Sequence, residues 1–145
     1  MSRNRAGGPP TGRTGAPAAG ADGPPVLRED DRPVQGWHDE RGHLTWRTLF
    51  SADATPTDSM VTGIAELPEG GFLALHRHDQ AETYHVLSGQ GVVVLDGVEH
   101  PVRAGSNVFV PGGREHGARN TGADVLRVFY VLAADDFADV EYVFS

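Results

Sequence analysis

The sequence predicts an all-β fold, a sandwich or barrel built from many short strands. Apolar runs rich in Val, Leu, Phe and Thr recur along the chain, and clusters of Gly, Pro, Asn and Asp separate them. We find no long amphipathic helical repeat in the sequence. Short strands with regular turn punctuation are typical of sandwiches and barrels.

Turn-forming residues set the boundaries of the predicted strands. Pro and Gly cluster at residues 68–71 and 111–113, and Ser88 and Gly89 end another apolar run. Asp96 and Gly97 lie between two apolar runs, which is a strong signal for a two-residue hairpin. The predicted strands span residues 44–50, 59–67, 72–78, 82–87, 91–95, 98–103, 107–110, 115–119, 125–132 and 140–144.

The chain divides into three predicted segments. Residues 1–25 contain six glycines and five prolines and almost nothing large and apolar. Such a segment cannot bury enough surface to offset its ordering entropy, so we predict a disordered tail. We expect residues 26–57 to form an N-terminal extension that covers the barrel, anchored by Trp37 and Trp46. Residues 58–145 are the predicted barrel.

Composition and charge exclude several classes of function. The 145 residues include no cysteine, so disulfides and thiolate metal sites are excluded. All 12 basic residues are arginine, so Schiff-base chemistry on a lysine is excluded as well. The net charge of −8 argues against a nucleic-acid partner. We see neither a membrane-spanning apolar run nor a secretory signal, and expect a cytoplasmic protein.

Three histidines and one glutamate have the spacing of a metal site. His76 and His78 share one face of a predicted strand, because alternate residues point the same way. Glu82 opens the next strand after a short turn, and His116 starts a later one. Three imidazoles and a carboxylate suit Fe(II), Mn(II), Ni(II), Co(II) or Zn(II), and leave two positions open on a six-coordinate ion. The alternative is a set of polar surface residues on strands.

Two sequence patterns resemble those of a known family. Gly70 to Gly89 follows G-x5-H-x-H-x3-E-x6-G, and Gly105 to Asn120 follows G-x5-P-x-G-x2-H-x3-N. These match the first and second motifs of the cupin superfamily in full, with 15 residues between them. The resemblance covers residues 58–133 and is to the small, single-domain, metal-binding cupins.

The resemblance implies a fold, a cofactor and a partner. It implies a double-stranded β-helix, or jelly-roll barrel, with one divalent transition metal inside, and often a homodimer. Carried over to this chain, the metal ligands are His76, His78, Glu82 and His116. The resemblance implies that Asn120 is structural.

Several side chains are candidates for contact with a substrate. Tyr84 shares a face with Glu82, so its phenol is either an acid–base group near the metal or a core aromatic residue. Arg114 is two residues before His116 and is therefore expected to share its face, and Arg127 lies on an otherwise apolar strand. An arginine directed into a barrel needs an anion, either a substrate carboxylate or an internal acidic residue. The candidate pocket or core walls are Met60, Phe72, Phe109 and Phe129.

The first functional hypothesis is a metal-dependent enzyme that acts on a small oxygenated metabolite. Lyase, cyclase and dioxygenase chemistry all fit the ligand set, because fold and ligands do not fix the reaction. The cupin lyases that cleave dimethylsulfoniopropionate are similar in the four ligands and in the Glu-x-Tyr formed by Glu82 and Tyr84. Small cupin polyketide cyclases are the second comparison. The alternative hypothesis is a non-catalytic module that senses a small molecule or a metal.

Overall fold

The fold is a nearly closed antiparallel sheet, described by a computed structural model for residues 23–145. Residues 1–22, most of the predicted tail, lie outside the described residues. Short 3₁₀ turns occur at Glu29–Asp31 and Phe137–Asp139. The strands are β1 (Gln35–Asp39), β2 (Gly42–Phe50), β3 (Val61–Leu67), β4 (Phe72–Arg77), β5 (Glu82–Ser88), β6 (Gln90–Leu95), β7 (Val98–Arg103), β8 (Asn107–Val110), β9 (His116–Asn120), β10 (Leu126–Leu132) and β11 (Val143–Phe144).

The strand order confirms the predicted all-β barrel. Neighbouring strands run β7-β6-β9-β4-β2-β3-β10-β5-β8, while β1 pairs with β2 and β11 with β4. The turn between β7 and β8 bonds back to β5, where Gly105 N donates to Val86 O (2.8 Å) and Val86 N donates to Ser106 O (2.9 Å). These bonds draw the two ends of the sheet together. Between residues 23 and 145, no helix is long and apolar enough to cross a bilayer.

The segment before residue 58 contributes two strands, β1 and β2, to the sheet. A turn at residues 39–42 joins β1 to β2, and the two strands pair in register on either side of it. The sequence does not indicate β1 as a strand, because its residues are mostly polar and exposed and include Gly36. β2 pairs with β3 along most of its length and with β4 at its first residues.

Strict alternation along β10 shows which face is the interior. Leu126, Val128, Tyr130 and Leu132 are buried, and the residues between them are only partly so. Tyr130 points toward Gly63, its partner on β3, where a Cβ atom would lie 2.2 Å from the tyrosine hydroxyl. Gly63 therefore makes room for an aromatic ring inside a barrel that would otherwise be too crowded.

Buried Asn120 holds two turns at one end of the barrel. Its Nδ2 donates to the backbone carbonyls of Leu67 (2.9 Å), Pro68 (3.0 Å) and Asp124 (2.8 Å). Its Oδ1 accepts from Gly122 N at 2.8 Å. Carbonyl groups that end β3 and precede β10 are thereby satisfied by one side chain. This geometry gives a physical basis for a structural asparagine here.

We expect Asn120→Ala to lower the free energy of unfolding by roughly 2–4 kcal/mol, because buried carbonyls and an amide lose their partner. The control is Gln35→Ala on β1, where the amide is exposed and we expect a change within about 0.5 kcal/mol. Urea unfolding of both variants measures the difference. Equal effects at the two sites would contradict this role.

Candidate metal centre

Four buried side chains from three strands and one loop meet inside the barrel. His76 on β4 and His116 on β9 are cross-strand partners, and both side chains are fully buried. His78 follows β4, and Glu82 begins β5 after the short turn at residues 79–81. One ligand nitrogen from each histidine lies within 4.8 Å of the others. The structure therefore brings together the predicted histidine set.

A β-bulge in β4 aims His76 inward. The pairing of β4 with β9 shifts register between Leu73 and His76, so simple alternation fails there. Leu73 lines the interior cavity although it is three residues from inward-facing His76. Phe72 is one of the candidate wall residues, and alternation from His76 would direct it inward, but the register shift breaks that alternation, so the prediction for Phe72 as a pocket wall is wrong. Phe72 is not among the residues that line the cavity.

Backbone carbonyls fix the orientation and the tautomer of all three imidazoles. A carbonyl oxygen can only accept, so each Nδ1 must carry the proton and donate it. The acceptors are Ala74 O for His76 (2.7 Å), Gln80 O for His78 (3.0 Å) and Arg114 O for His116 (2.9 Å). Each neutral ring then presents an Nε2 lone pair. Outer bonds of this kind are typical of histidines that hold a metal.

The cluster has the chemistry of a cation site. The Nε2 atom of His76 is buried and has no hydrogen-bond partner among residues 23–145. Glu82 Oε1 lies 3.1 Å from His78 Nε2 and 3.3 Å from His116 Nε2. Lone pairs cannot satisfy one another at these distances, so a proton or a metal ion must lie among them. The three histidines and Glu82 thus fit a divalent transition metal, and the geometry leaves its identity open.

Burial controls the charge of these groups. Burial, reinforced by neighbouring His116, lowers the pKa of His76 to about 4, so this ring is neutral at physiological pH, as a metal ligand must be. Burial opposes ionisation of Glu82, but its carboxyl lies within hydrogen-bond distance of His116 and His78, and a proton shared with either Nε2 lowers the pKa of that carboxyl. The site therefore pairs a neutral imidazole with a carboxylate.

A small apolar cavity of about 60 Å³ adjoins the cluster. Glu82 belongs to both, because its side chain contacts two of the histidines and also lines the cavity. Tyr142 stacks on His76 with ring centroids 4.9 Å apart and lines the same cavity. The remaining walls are mostly aliphatic and aromatic: Trp37, Leu44, Trp46, Ala65, Leu67, Leu73, Tyr84, Val86, Val93, Val102, Ala118, Leu126, Val128, Tyr130 and Phe137.

Tyr84 lies where the sequence predicted it, on the inner face beside Glu82. It is buried, and its ring centroid is 6.4 Å from that of His116. Burial and then the charge of Glu82 raise the pKa of the Tyr84 phenol well above its ordinary value. The same two causes raise the pKa of Tyr142. Both phenols are therefore protonated at neutral pH when no cation is near.

Comparison with known proteins agrees with this architecture. The model of the family described as "Cupin domain" matches residues 63–132. The dimethylsulfoniopropionate lyase DddW of Ruegeria pomeroyi is 43% identical over 115 residues, which cover 78% of this chain and 74% of that protein. The chain belongs to the cupin family. An oxalate-binding protein of Thermotoga maritima is 30% identical over 63% of this chain and 77% of its own length.

Solved cupin structures share the fold. A predicted oxalate decarboxylase from Thermotoga maritima superposes with a TM-score of 0.65 at 25% identity, over 75% of this chain and 98% of that one. The polyketide cyclase RemF of Streptomyces resistomycificus gives a TM-score of 0.68 at 21% identity, over 82% and 83% of the two chains. The likeness to RemF concerns the fold alone.

The cupin barrel directs both predicted arginines outward, so neither reaches the cavity. Arg114 precedes β9 and pairs with exposed Asp96 at the surface. Arg127 faces out from β10 and pairs with Glu66 (2.7 Å) and with Glu29. The expected acidic partners exist, but the expectation of an inward direction is wrong. On β10 the inward positions are even-numbered, and before β9 the chain is irregular.

The predicted aromatic and methionine walls also lie elsewhere in this cupin. Met60 is 51% exposed before β3, and Phe109 is 62% exposed on β8. Phe129 alternates with buried Val128 and Tyr130, so it lies on the outer face of β10. Like Phe72, these three residues are not among those that line the cavity. The alternation of side chains along a strand correctly groups residues on one face, but it does not indicate which face points into the barrel.

Sequence reasoning missed the aromatic residues that line the cavity of this cupin. Trp37 and Trp46 were expected only to anchor the extension, yet they line the cavity with ring centroids 5.0 Å apart. Tyr130 could have been found from the buried face of β10. No sequence pattern indicated Tyr142 as a cavity residue. It precedes β11, which is only two residues long, and the packing of Tyr142 on His76 depends on the whole fold.

We expect the purified cupin to carry about one transition metal ion per chain, and His76→Ala or His116→Ala to lose it, because each variant deletes one of the few donors. Metal content by plasma mass spectrometry measures this. His100→Ala, at an exposed position on β7, is the control and should keep the metal. Equal metal content in all four proteins would contradict the site.

We expect the metal-free cupin to lose stability as the pH falls from 6.5 to about 4. Between these pH values His76 is protonated in the unfolded chain but neutral in the folded chain, because burial lowers its pKa. The free energy of unfolding therefore falls with pH, by roughly 3 kcal/mol at most. Glu82 adds a further loss only below its ordinary pKa of 4.5. Urea titrations with a chelator present measure the slope, and His76→Gln should flatten it. An equal slope in both proteins would contradict this origin.

Proposed function

We propose that this cupin is a metal-dependent lyase that cleaves dimethylsulfoniopropionate or a close analogue by β-elimination. The carrying observation is a small aromatic cavity that shares Glu82 with the histidine cluster. The 43% identity to a dimethylsulfoniopropionate lyase supports the choice among cupin reactions. Elimination removes a proton from the carbon next to the carboxylate and breaks the carbon–sulfur bond, which yields acrylate and dimethyl sulfide.

The size of the cavity favours a small substrate. About 60 Å³ is far below the roughly 300–1,000 Å³ of sites that hold drug-sized ligands. A short carboxylate is therefore a better match than a multi-ring polyketide. The cavity volume therefore supports a lyase over a cyclase.

Aromatic rings can hold the positive end of such a substrate. Trp37, Phe137 and Tyr142 line the cavity, and Tyr142 lies edge-on to Trp37 at 5.7 Å and to Phe137 at 6.3 Å. Electron-rich faces attract quaternary cations without a formal counter-charge. A sulfonium group placed against these rings would point its carboxylate toward Glu82 and the histidines, where a bound divalent metal would supply the compensating positive charge.

We assign Tyr84 Oη as the group that accepts the proton. Tyr84 follows Glu82 on the inner face of β5, within the same small cavity. Burial and Glu82 hold the pKa of this phenol high, whereas a nearby cation acts in the opposite direction. Tyr84 can therefore act as a base only when a metal ion is bound at the histidine cluster.

The second candidate function is a non-catalytic binding module. The 30% identity to an oxalate-binding protein favours it, since that relative also shares most of its length with this chain. Such a module would hold a small acid beside the histidines without turnover. The predicted homodimer and cytoplasmic location stay predictions in either case.

We expect the metal-loaded wild type to release dimethyl sulfide from dimethylsulfoniopropionate, measured by headspace gas chromatography. Tyr84→Phe should keep the metal and lose activity by about 100-fold or more, because proton transfer loses its acceptor. Phe109→Leu, at an exposed aromatic position, is the control and should stay active. Full activity in Tyr84→Phe would remove this residue from the mechanism, and no release by wild type would favour the binding module.

A further inference from the structure

Two buried hydroxyls and one indole nitrogen, at or beside the cavity, have no role in the proposed elimination. Trp46 Nε1, Thr48 Oγ1 and Tyr130 Oη are buried and have no hydrogen-bond partner among residues 23–145. Trp46 and Tyr130 line the cavity, and Thr48 is the next inward position after Trp46 on β2. Buried polar atoms without partners are rare in native proteins and call for a ligand or water.

The sheet register brings the two hydroxyls together and leaves Trp46 at the neighbouring inward position on β2. Thr48 pairs with Gly63 on β3, and Gly63 pairs with Tyr130 on β10. Because Gly63 has no side chain, the Tyr130 hydroxyl extends over it toward β2. Only Gly63 separates Thr48 from Tyr130, so the two hydroxyls are neighbours. Burial raises the pKa of Tyr130, and the Thr48 hydroxyl partly opposes that rise. A hydrogen bond between them would still leave one O–H group without an acceptor.

The patch is separated from the histidine cluster by the length of a small molecule. Tyr130 pairs with Tyr84 on β5, while Leu132 pairs with Glu82. Tyr130 is thus two residues, roughly 7 Å, along the barrel from the level of Glu82. A chain of about three non-hydrogen atoms attached to a carboxylate at the cluster would place its far end near the patch.

Charge limits what that far end can be. Glu82 is the only charged side chain among the described residues that line the cavity. A divalent cation, Glu82 and one substrate carboxylate already sum to zero, so a second buried carboxylate would be uncompensated. The orphan groups are neutral hydrogen-bond donors, and they suit a neutral oxygen acceptor.

We propose that Tyr130, Thr48 and Trp46 form a distal subsite that binds the hydroxyl or carbonyl oxygen of a short hydroxy- or oxo-carboxylate. The barrel then accepts this ligand class in addition to a sulfonium, whose methyl groups would contact the aromatic faces instead. The inference rests on the proposed function in one respect, because it takes a carboxylate to bind beside Glu82 and the histidines.

The test compares two ligands of equal shape on the metal-loaded protein. 3-Hydroxypropionate and butyrate differ only in a terminal hydroxyl or methyl group, and calorimetric titration gives a dissociation constant for each. We expect wild type to bind 3-hydroxypropionate about tenfold more tightly, since a buried hydrogen bond is worth that ratio. In Tyr130→Phe and in Thr48→Val the ratio should fall toward one. Thr45→Val, exposed on the same strand, is the control and should keep it.

Three results would overturn the subsite. They are no saturable binding of 3-hydroxypropionate, a ratio near one in wild type, and an unchanged ratio in Tyr130→Phe, which would mean that water alone fills the patch. Dimethyl sulfide release by the same wild-type preparation is measured in parallel. An inactive protein with an intact tenfold ratio rejects the lyase and keeps the subsite, whereas an active protein with a ratio near one does the reverse.

Discussion

Three hydrogen bonds from imidazole Nδ1 to backbone carbonyls are the constraint on which the site depends. Each bond decides which nitrogen carries the proton and turns the other lone pair toward the barrel interior. Free rotation of the rings would scatter those lone pairs. Because the acceptors are backbone atoms, the positions of His76, His78 and His116 are set by the course of the chain itself.

One of those carbonyls, of Ala74, lies in β4, and the other two, of Gln80 and Arg114, lie in the loops that precede β5 and β9. The bulge in β4 turns His76 inward, and the cross-strand pairing of β4 with β9 places His116 beside it. β11 adds an outer strand to β4 and brings Tyr142 onto the face of His76. The three histidines, the aromatic cavity walls and the last strand therefore form one packed unit. Glu82 connects that unit to the space where a substrate can lie.

The sequence predicted most of the barrel and the site residues that local spacing specifies. Turn residues and alternation predicted strands in the regions of β2 to β11. His76, His78 and His116 come together as the spacing predicted, with Glu82 beside two of them. The sequence was less informative about which side chains point into the barrel. Alternation groups Arg127 with Phe129 but cannot say which face is interior, and the bulge reverses the expectation for Phe72. Tyr142 and Trp37 meet only after distant strands pair.

The central claim is that three imidazoles and one carboxylate hold the same ion. X-ray absorption at the metal edge of the reconstituted protein tests it most directly. The account predicts multiple scattering from three histidine rings at nitrogen distances of roughly 2.0–2.2 Å, with the remaining ligands oxygen. A spectrum with only oxygen neighbours, or with a single imidazole, would contradict it.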